Sequence, residues 1–203
     1  MRITQITPTD ETGKRQIYFD DELFAALPAD VVMSLDLHTG DEYDDEAAEQ
    51  LILRIESLSA LQKAYTYLSY NALSRKKLSE KLLKAGFSEG ATDLVLEKLE
   101  KLGLVDDNAL ADRLTAVMLT TKRWGRHRAY EELYKRGIPR DIAELALADY
   151  QDEEALVWQL SHKYGKRDLA NPKERQKVTA GLVRLGFSFD DIRSALRNFE
   201  DFE

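Results

Sequence analysis

The chain has 203 residues, of which 43% are hydrophobic and 33% are charged, and its formal net charge is −8. This balance is typical of a folded protein in water, and the absence of cysteine excludes disulfides, cysteine-based zinc sites and thiol catalysis. No apolar run approaches the roughly 20 residues that cross a bilayer, and the N-terminus lacks the apolar core of a signal peptide, so we expect a cytoplasmic protein.

The charge is distributed unevenly along the chain. Residues 1–60 carry 4 cations and 14 acids, whereas residues 61–203 carry 25 cations and 23 acids. An acidic head therefore precedes a mildly basic body, and this asymmetry says more about partners than the whole-chain charge does.

The first 27 residues have the pattern of short strands and turns. In chain order they are a segment from Ile3 to Ile6, a turn at Asp10–Gly13, a β-favouring segment at Gln16–Phe19, a turn at Asp20–Glu22 and a third segment at Leu23–Ala25. A short helix is expected to start at Pro28 or Asp30, continue through Leu37 and stop before Gly40. Three short strands are marginal alone, so we expect them to pack on a helix.

From about residue 44 the apolar residues recur at spacings of three and four, which predicts helices to the end of the chain. Each of three expected helices, near residues 60–71, 107–121 and 153–165, is followed by two more. The stretch from Lys166 to Pro172 is the expected loop of the second half.

An internal repeat is the strongest feature of the sequence. Gly86, Gly137 and Gly186 lie 51 and then 49 residues apart, and five further positions keep their offsets from each glycine. In the three copies these positions hold Leu78, Leu82, Phe87, Leu96 and Leu99; Ala129, Leu133, Ile138, Leu147 and Tyr150; and Val178, Leu182, Phe187, Leu196 and Phe199. Self-similarity at this period predicts an array of helical units.

Each repeated glycine predicts a corner between two helices. A left-handed glycine lets the last carbonyls of the finished helix find donors, and the next apolar residue folds back on that helix. Ser88 and Ser188 are placed to cap the following helix, and Pro139 to occupy its first turn. Gly103 is expected to end the first repeat, before a cap at Asp106 or Asp107.

These signals divide the chain into four segments. They are an acidic extension over 1–58, with short strands and a helix, and three-helix repeats over 59–105, 106–151 and 152–203.

Signals for catalysis or for a cofactor are scarce. The sequence has no phosphate-binding loop, dinucleotide fingerprint or nucleophile elbow. His38, His127 and His162 lack metal-ligand spacing, and the acidic run from Asp41 to Glu46 suits a helix start better than a calcium loop. We therefore expect no enzymatic activity, no metal and no cofactor.

Basic residues recur on the middle helix of each repeat. The candidate partner-binding or DNA-binding residues are Arg75, Lys76, Lys77 and Lys81 in the first repeat, Lys122, Arg123, Trp124, Arg126 and Arg128 in the second, and Lys173, Arg175 and Lys177 in the third. Such residues suit a polyanion or an acidic protein surface. The alternative is a set of solvated helix faces that bind nothing.

The segment from Lys122 to Arg126 is the most specific of these clusters, because a tryptophan lies among three cations. Gly125 lies where the middle helix of the second repeat is expected to begin. Either Trp124 is exposed and packs on a partner while the cations contact acids or phosphate, or it is buried between repeats. Arg123 and Arg126 are expected to face solvent.

The order and spacing of these segments resemble the RecX family of recombination regulators. The matching segments are Tyr67–Tyr70 with the helix and corner from Leu78 to Phe87, then Leu104–Asp107, then Gly125 to Ile138, and finally Gly186–Ile192. The resemblance covers residues 60–200, and the β-rich head is similar to the N-terminal extension of longer members.

The resemblance implies a mainly α-helical fold of tandem three-helix repeats in an elongated, curved arrangement, with a small β-rich N-terminal extension. It also implies a monomeric regulator that lodges in the groove of the RecA–DNA filament, inhibits RecA ATP hydrolysis and strand exchange, and contacts single- or double-stranded DNA weakly or indirectly.

Two other functions remain open. One is a DNA-binding protein of helix-turn-helix type, although the helix after each corner is acidic, which disfavours a recognition helix. The other is a helical scaffold that binds other proteins.

Overall fold

The computed structural model describes residues 1–9 and 13–200. The strands are β1 Ile3–Pro8, β2 Lys14–Phe19 and β3 Glu22–Pro28. The ten α-helices of this part are α1 Ala29–Ser34, α2 Asp45–Tyr70, α3 Arg75–Lys84, α4 Glu89–Lys101, α5 Asp107–Thr120, α6 Arg126–Lys135, α7 Arg140–Ala146, α8 Glu153–Gln159, α9 Pro172–Arg184 and α10 Phe189–Glu200. A π-helical turn, Leu160–Tyr164, continues α8. The predicted turn residues Asp10 to Thr12 and the side chain of Phe199 lie outside the described residues.

This architecture confirms the predicted fold class, a mainly helical chain of three-helix repeats with a β-rich extension. Within the described residues, strands occur only before residue 29. An isolated bridge joins Arg2 to Glu42.

The three strands form one antiparallel sheet in the order β1-β2-β3. Ile6 pairs with Ile17, and Ile17 pairs with Ala25. The two-residue turn between β2 and β3 consists of Asp20 and Asp21, whose φ angles are 47° and 68°. Two successive positive φ angles are the signature of a type I′ hairpin turn, in which aspartate is well tolerated.

The sheet is stabilised by a core that it shares with two helices. Ile3, Ile17 and Leu27 from the strands are buried together with Val32 of α1 and Ile55 of α2. The expectation that the small sheet packs on a helix is therefore confirmed.

Helix α1 is shorter than the sequence predicts. It begins after Pro28 and ends at Ser34 rather than at Leu37. Asp36 adopts the left-handed conformation, with φ of 51°. The chain thereby leaves the helix and buries the side chain of Leu37 in the core of the sheet, which favours the shorter helix.

Helix α2 is longer than predicted, because it runs without interruption for 26 residues. The predicted first helix of the first repeat, near residues 60–71, is only its C-terminal part. Residues 45–70 contain no glycine or proline to end a helix. The predicted border at residue 58 therefore lies inside α2.

The described chain packs into two compact units, Met1–Tyr67 with Leu82–Glu97, and Leu68–Lys81 with Lys98–Glu203. Their border passes through α2, α3 and α4, so helices of the first repeat belong to both. The division at residues 58, 105 and 151 remains a prediction.

The three glycine corners have the predicted geometry. Gly86, Gly137 and Gly186 have φ of 94°, 79° and 93°. The N–H of the residue after each glycine donates to the carbonyl four residues before that glycine, at 3.1–3.3 Å. This is the hydrogen bond of a Schellman cap, which satisfies a carbonyl at the end of the helix.

The caps that follow the corners differ among the repeats. Ser88 Oγ accepts from the N–H of Ala91 and Ser188 Oγ from the N–H of Asp191, at 3.3 and 3.1 Å. Pro139 is the N-cap of α7 and not a residue of its first turn. Of the two aspartates expected to cap α5, Asp106 does so.

The repeated apolar positions form the cores of the second and third repeats. Ala129, Leu133, Ile138, Leu147 and Tyr150 are buried in one cluster. The four described side chains at these positions of the third repeat are buried in another, namely Val178, Leu182, Phe187 and Leu196. The repeat thus specifies core packing.

Candidate functional site

The twelve candidate binding residues all lie on the middle helices of the repeats, α3, α6 and α9, or on the segment that leads into α6. The first turns of α3 and α6 carry basic residues and also form contacts between repeats. Each of them contacts the glycine corner of the following repeat.

The first of these junctions joins α3 to the second repeat. Ser74 Oγ donates to the carbonyl of Arg136 at 2.6 Å, and the N–H of Arg75 donates to Asp107 Oδ1 at 2.9 Å. A Cβ on Gly137 would lie 2.8 Å from Ser74 Oγ. The N-terminus of α3 therefore lies directly on the corner.

The second junction joins α6 to the third repeat and is closer. The N–H of Gly125 donates to the carbonyl of Leu185 at 2.8 Å, and the N–H of His127 donates to that of Gly186 at 3.1 Å. The N–H of Arg126 donates to Asp152 Oδ2 at 2.7 Å. Since the N–H groups of Arg126 and His127 belong to the first turn of α6, they have no partner within that helix, and these contacts satisfy them.

The two junctions are equivalent. Ser74 and Gly125 each lie twelve residues before the corner glycine of their own repeat. Asp107 and Asp152 each stand at the start of the next repeat's first helix and accept a helix N–H. The sequence-based predictions do not include this contact. Its signal was available as a small residue at one offset in two repeats.

Helix α9 breaks the pattern. It begins at Pro172, fourteen residues before its corner glycine, whereas α3 and α6 begin eleven residues before theirs. The equivalent of Ser74 and Gly125 is Glu174, which is paired with Arg167 at 2.8 Å and with Lys177 at 2.7 Å. Hydrogen bonds from these two cations lower the pKa of Glu174.

The two junction aspartates, Asp107 and Asp152, have raised pKa values. Burial raises the pKa of Asp107 and of Asp152 above the ordinary value, because it disfavours the ionised carboxylate. The N–H bonds that they accept from Arg75 and Arg126 act in the opposite direction and only partly offset the burial.

We expect Asp152→Asn to change how stability depends on pH. An aspartate whose folded pKa is raised adds stability below its ordinary pKa of 3.8, and this is lost as the pH rises through the raised value. Asparagine can still accept the N–H of Arg126 but does not titrate. The free energy of unfolding of the variant minus that of the parent should therefore be larger at pH 7 than at about pH 3.5. Urea unfolding at the two pH values measures this difference. A stability difference that is the same at both pH values would contradict this.

The sequence left open whether Trp124 is exposed or buried, and the structure places it between these two extremes. Its ring is half-buried and packs against the core of the second repeat. The guanidinium of Arg128 lies 4.2 Å from the ring centroid, and Arg128 Nη1 donates to the carbonyl of Arg184 at 3.3 Å. Arg128 therefore connects Trp124 to the end of α9.

The sequence predicted that Arg123 faces solvent, but its side chain is half-buried. It has φ of 53° and its carbonyl accepts from Gln159 Nε2 at 3.2 Å. Its guanidinium lies 5.7 Å from the ring of Trp158, which stacks on His162 at a centroid distance of 4.5 Å. Trp158 is 40% exposed. The sequence-based site omits this stack, although Trp158 and His162 are four residues apart on one helix.

Some of the candidate cations form ion pairs and others do not. Arg75 is paired with Glu100, Lys77 with Glu80, and Lys177 with Glu174. Four others are exposed and have no salt-bridge partner among the described residues, namely Lys76, Lys122, Arg126 and Lys173.

Among the described residues, no group of three or more His, Asp or Glu side chains is placed to hold a metal ion. In this described part of the chain, none of the helices has the length and hydropathy of a membrane span.

Sequence models of three RecX domains match this chain in order. The first three-helix domain of RecX matches residues 60–99, the second matches residues 106–147 and the third matches residues 151–196.

Curated relatives are named regulatory protein RecX and are not named as enzymes. The protein of Clostridioides difficile (strain 630) is 29% identical, over 99% of this chain and 98% of its own length. That of Caldanaerobacter subterraneus subsp. tengcongensis is 28% identical over 97% and 98%. The protein of Prosthecochloris aestuarii is 31% identical over 70% of this chain and 93% of its own length.

Two solved structures have a similar fold. One is a crystal structure of regulatory protein RecX, with a TM-score of 0.67 and 23% identity, over 97% of this chain and 98% of that one. The other is RecX from Lactobacillus salivarius, with a TM-score of 0.63 and 26% identity, over 71% and 97%.

Proposed function

Because this chain belongs to the RecX family of regulatory proteins, we propose that it binds the filament of RecA recombinase on DNA and inhibits its ATP hydrolysis and strand exchange. The ordered match of all three RecX domains carries this proposal. The proposed protein is a monomeric, cytoplasmic regulator that catalyses no reaction and needs no cofactor.

The exposed cations support a role at a negatively charged partner. Four exposed cations form no salt bridge with any described residue, namely Lys76, Lys122, Arg126 and Lys173. They lie on or just before the middle helices of all three repeats, so several weak contacts can form along a filament that is itself a repeat. Contacts joined in one chain add up to tight binding, as in other multivalent proteins.

The junctions support the same proposal from another direction. Backbone hydrogen bonds tie Gly125 and His127 to the corner of the third repeat. These hydrogen bonds restrain the backbone next to the exposed cations Lys122 and Arg126 relative to that repeat. A surface that is ordered before binding loses less entropy when it binds.

The test is RecA ATPase activity on single-stranded DNA, with and without this protein. We expect the rate to fall as the protein is added, with a salt-sensitive effect because charged contacts are screened. A pull-down should retain the protein on RecA-coated single strands more than on bare DNA or on RecA alone. An unchanged ATPase rate together with retention on bare DNA would replace the proposal with a DNA-binding function. Retention on RecA without DNA would favour a protein scaffold.

A further inference from the structure

The third repeat has a groove between its first helix, α8, and its last helix, α10. The groove has a volume of about 400 Å³. Its lining residues are Glu153, Leu156, Val157 and Leu160 on one side and Asp191, Ser194, Ala195 and Asn198 on the other. Leu156 and Leu160 are buried, whereas Val157 is 54% exposed. The groove therefore presents an apolar surface to solvent.

The second repeat buries the equivalent surface with its own side chains. Helices α5 and α8 each begin after an aspartate N-cap, and the fifth residue after this cap is Ala111 in α5 and Val157 in α8. Ala111 is fully buried, and Ile142 of α7 packs against the same core. The counterpart of Ile142 in the third repeat, five residues after the corner glycine, is Asp191. The third repeat thus exposes an apolar position that the second repeat buries.

Two positions on the last helix of each repeat are polar only in the third repeat. They lie five and eight residues after the corner glycine. Their occupants are Ala91 and Leu94 in the first repeat, Ile142 and Leu145 in the second, and Asp191 and Ser194 in the third. The three-helix fold does not require polar side chains there, since the other two repeats form it with apolar ones.

The charge around the groove is negative. Glu153 and Asp191 are exposed and form no salt bridge with any described residue, although Asp191 accepts a hydrogen bond from Ser188 Oγ. Burial is the largest cause of the raised pKa of Asp152, and the charges of Asp191 and Glu153 raise it further. The two arginines of α10 line a different groove, on the side of α9. Among the described residues, no cation lines the groove between α8 and α10.

We propose that this groove binds the basic amphipathic helix of a second protein. The apolar face of such a helix packs on the exposed side chain of Val157, as in other complexes in which a helix lies in an apolar groove. Lysine or arginine beside that face pairs with Glu153 and Asp191. Ser194 and Ala195 have short side chains, which lets the backbone of the bound helix approach α10.

The partner of this groove has the opposite charge to the DNA-loaded filament. The exposed cations on the middle helices attract a polyanion, whereas the acidic rim of the groove repels one and attracts a basic partner. None of the lining residues belongs to the twelve candidate binding residues. The inference therefore goes beyond the proposed function and does not depend on it.

The test measures the binding of designed peptides to the full chain without RecA. The probe is a fluorescent peptide of about 18 residues, followed by anisotropy, with leucine at spacings of three and four and lysine beside this face. A second peptide has glutamate in place of lysine. A third has the composition of the first in an order that forms no apolar face. We expect the chain to bind the first peptide and to bind the other two about tenfold more weakly.

Two variants of equal net charge locate the binding site. Glu153→Gln with Asp191→Asn removes the charges of the rim, and asparagine can still accept from Ser188. We expect this variant to bind the lysine peptide about tenfold more weakly than the parent does. The control, Glu154→Gln with Asp190→Asn, changes the neighbouring residues on the same two helices, which do not line the groove, and should bind like the parent.

A further pair of variants examines the apolar contact. Val157→Ser leaves the charge unchanged and removes apolar surface from the groove, so it should weaken binding of the lysine peptide about fivefold. Because Val157 is 54% exposed, the replacement leaves the core intact. The control is Val117→Ser, which changes a valine of α5 that is 44% exposed and lies outside the groove. It should bind like the parent.

The outcomes that overturn the proposal are specific. It fails if the full chain does not bind the lysine peptide, or if it binds either of the other two peptides as tightly. It also fails if a groove variant binds like the parent, or if a control loses as much affinity as the groove variant with which it is matched.

Discussion

Gly125→Ala is expected to lower the free energy of unfolding by about 3 kcal/mol, the upper end of the range for overpacking a filled site. A Cβ at this position would lie 2.3 Å from the carbonyl carbon and oxygen of Gly186 and from the N atom of Phe187. These are backbone atoms of a glycine corner, so no side chain can rotate away. The junction between α6 and the third repeat must open instead.

The backbone of Gly125 makes this a clean test. Its φ of −77° and ψ of 162° suit alanine, so the cost comes from the close approach and not from backbone strain. Urea unfolding followed by far-UV circular dichroism measures the effect.

The control for this test is Gly90→Ala. There the added Cβ would meet only Leu53 Cδ1 at 3.2 Å, the end of a flexible side chain, and alanine favours the helix by about 1 kcal/mol. We expect this variant to be at least as stable as the parent. If Gly125→Ala unfolds at the same urea concentration as the parent, the junction does not have the proposed close contact.

Replacing Lys122 with glutamate and Arg126 with glutamine is expected to weaken binding to the RecA filament by roughly 1–3 kcal/mol, or about 5- to 150-fold. Both side chains are exposed and lack an ion pair with any described residue, so their charge is available to a partner. Glutamine is chosen at position 126 because Asp152 accepts its N–H, and a second acid there would be repelled.

Arg123, at the centre of the sequence-based prediction, is left unchanged in this variant. Its half-buried side chain lies over Trp158, so its replacement would mix packing with charge. Filament binding is measured by co-sedimentation with RecA on single-stranded DNA at several salt concentrations. The charge-matched control is Arg54→Glu with Arg113→Gln, which changes two exposed arginines on α2 and α5 and should bind like the parent. Equal inhibition of RecA by the double variant and the parent would remove this cluster from the mechanism and point to α3 and α9.

The sequence by itself determined the repeat and its corners. A glycine followed by an apolar residue, with anchors at constant offsets, is local information, because helix ends and caps depend on residues within a few positions. Gly86, Gly137 and Gly186 therefore have the predicted left-handed φ, and the anchors around Gly137 are buried as expected.

Helix lengths were harder to predict from the sequence, since they depend on what each helix end packs against. Leu37 leaves α1 because the core of the sheet buries it, and no local signal reports that burial. Helix α2 passes through residue 58 because no helix-breaking residue interrupts it. Its N-terminal half packs Ile55 into the same core.

Only the tertiary structure decided what the basic helices do. The sequence shows that Gly125 precedes α6, but not that its N–H reaches Leu185, sixty residues away, or that Trp158 lies over Arg123. The same holds for the cations, since Lys77 and Lys76 are neighbours in sequence and only Lys77 is paired with a glutamate. Charge, spacing and helix caps depend on residues that are close in sequence. Contacts between repeats form only when helix ends that are distant in sequence meet, and those contacts decide which charges remain available to a partner.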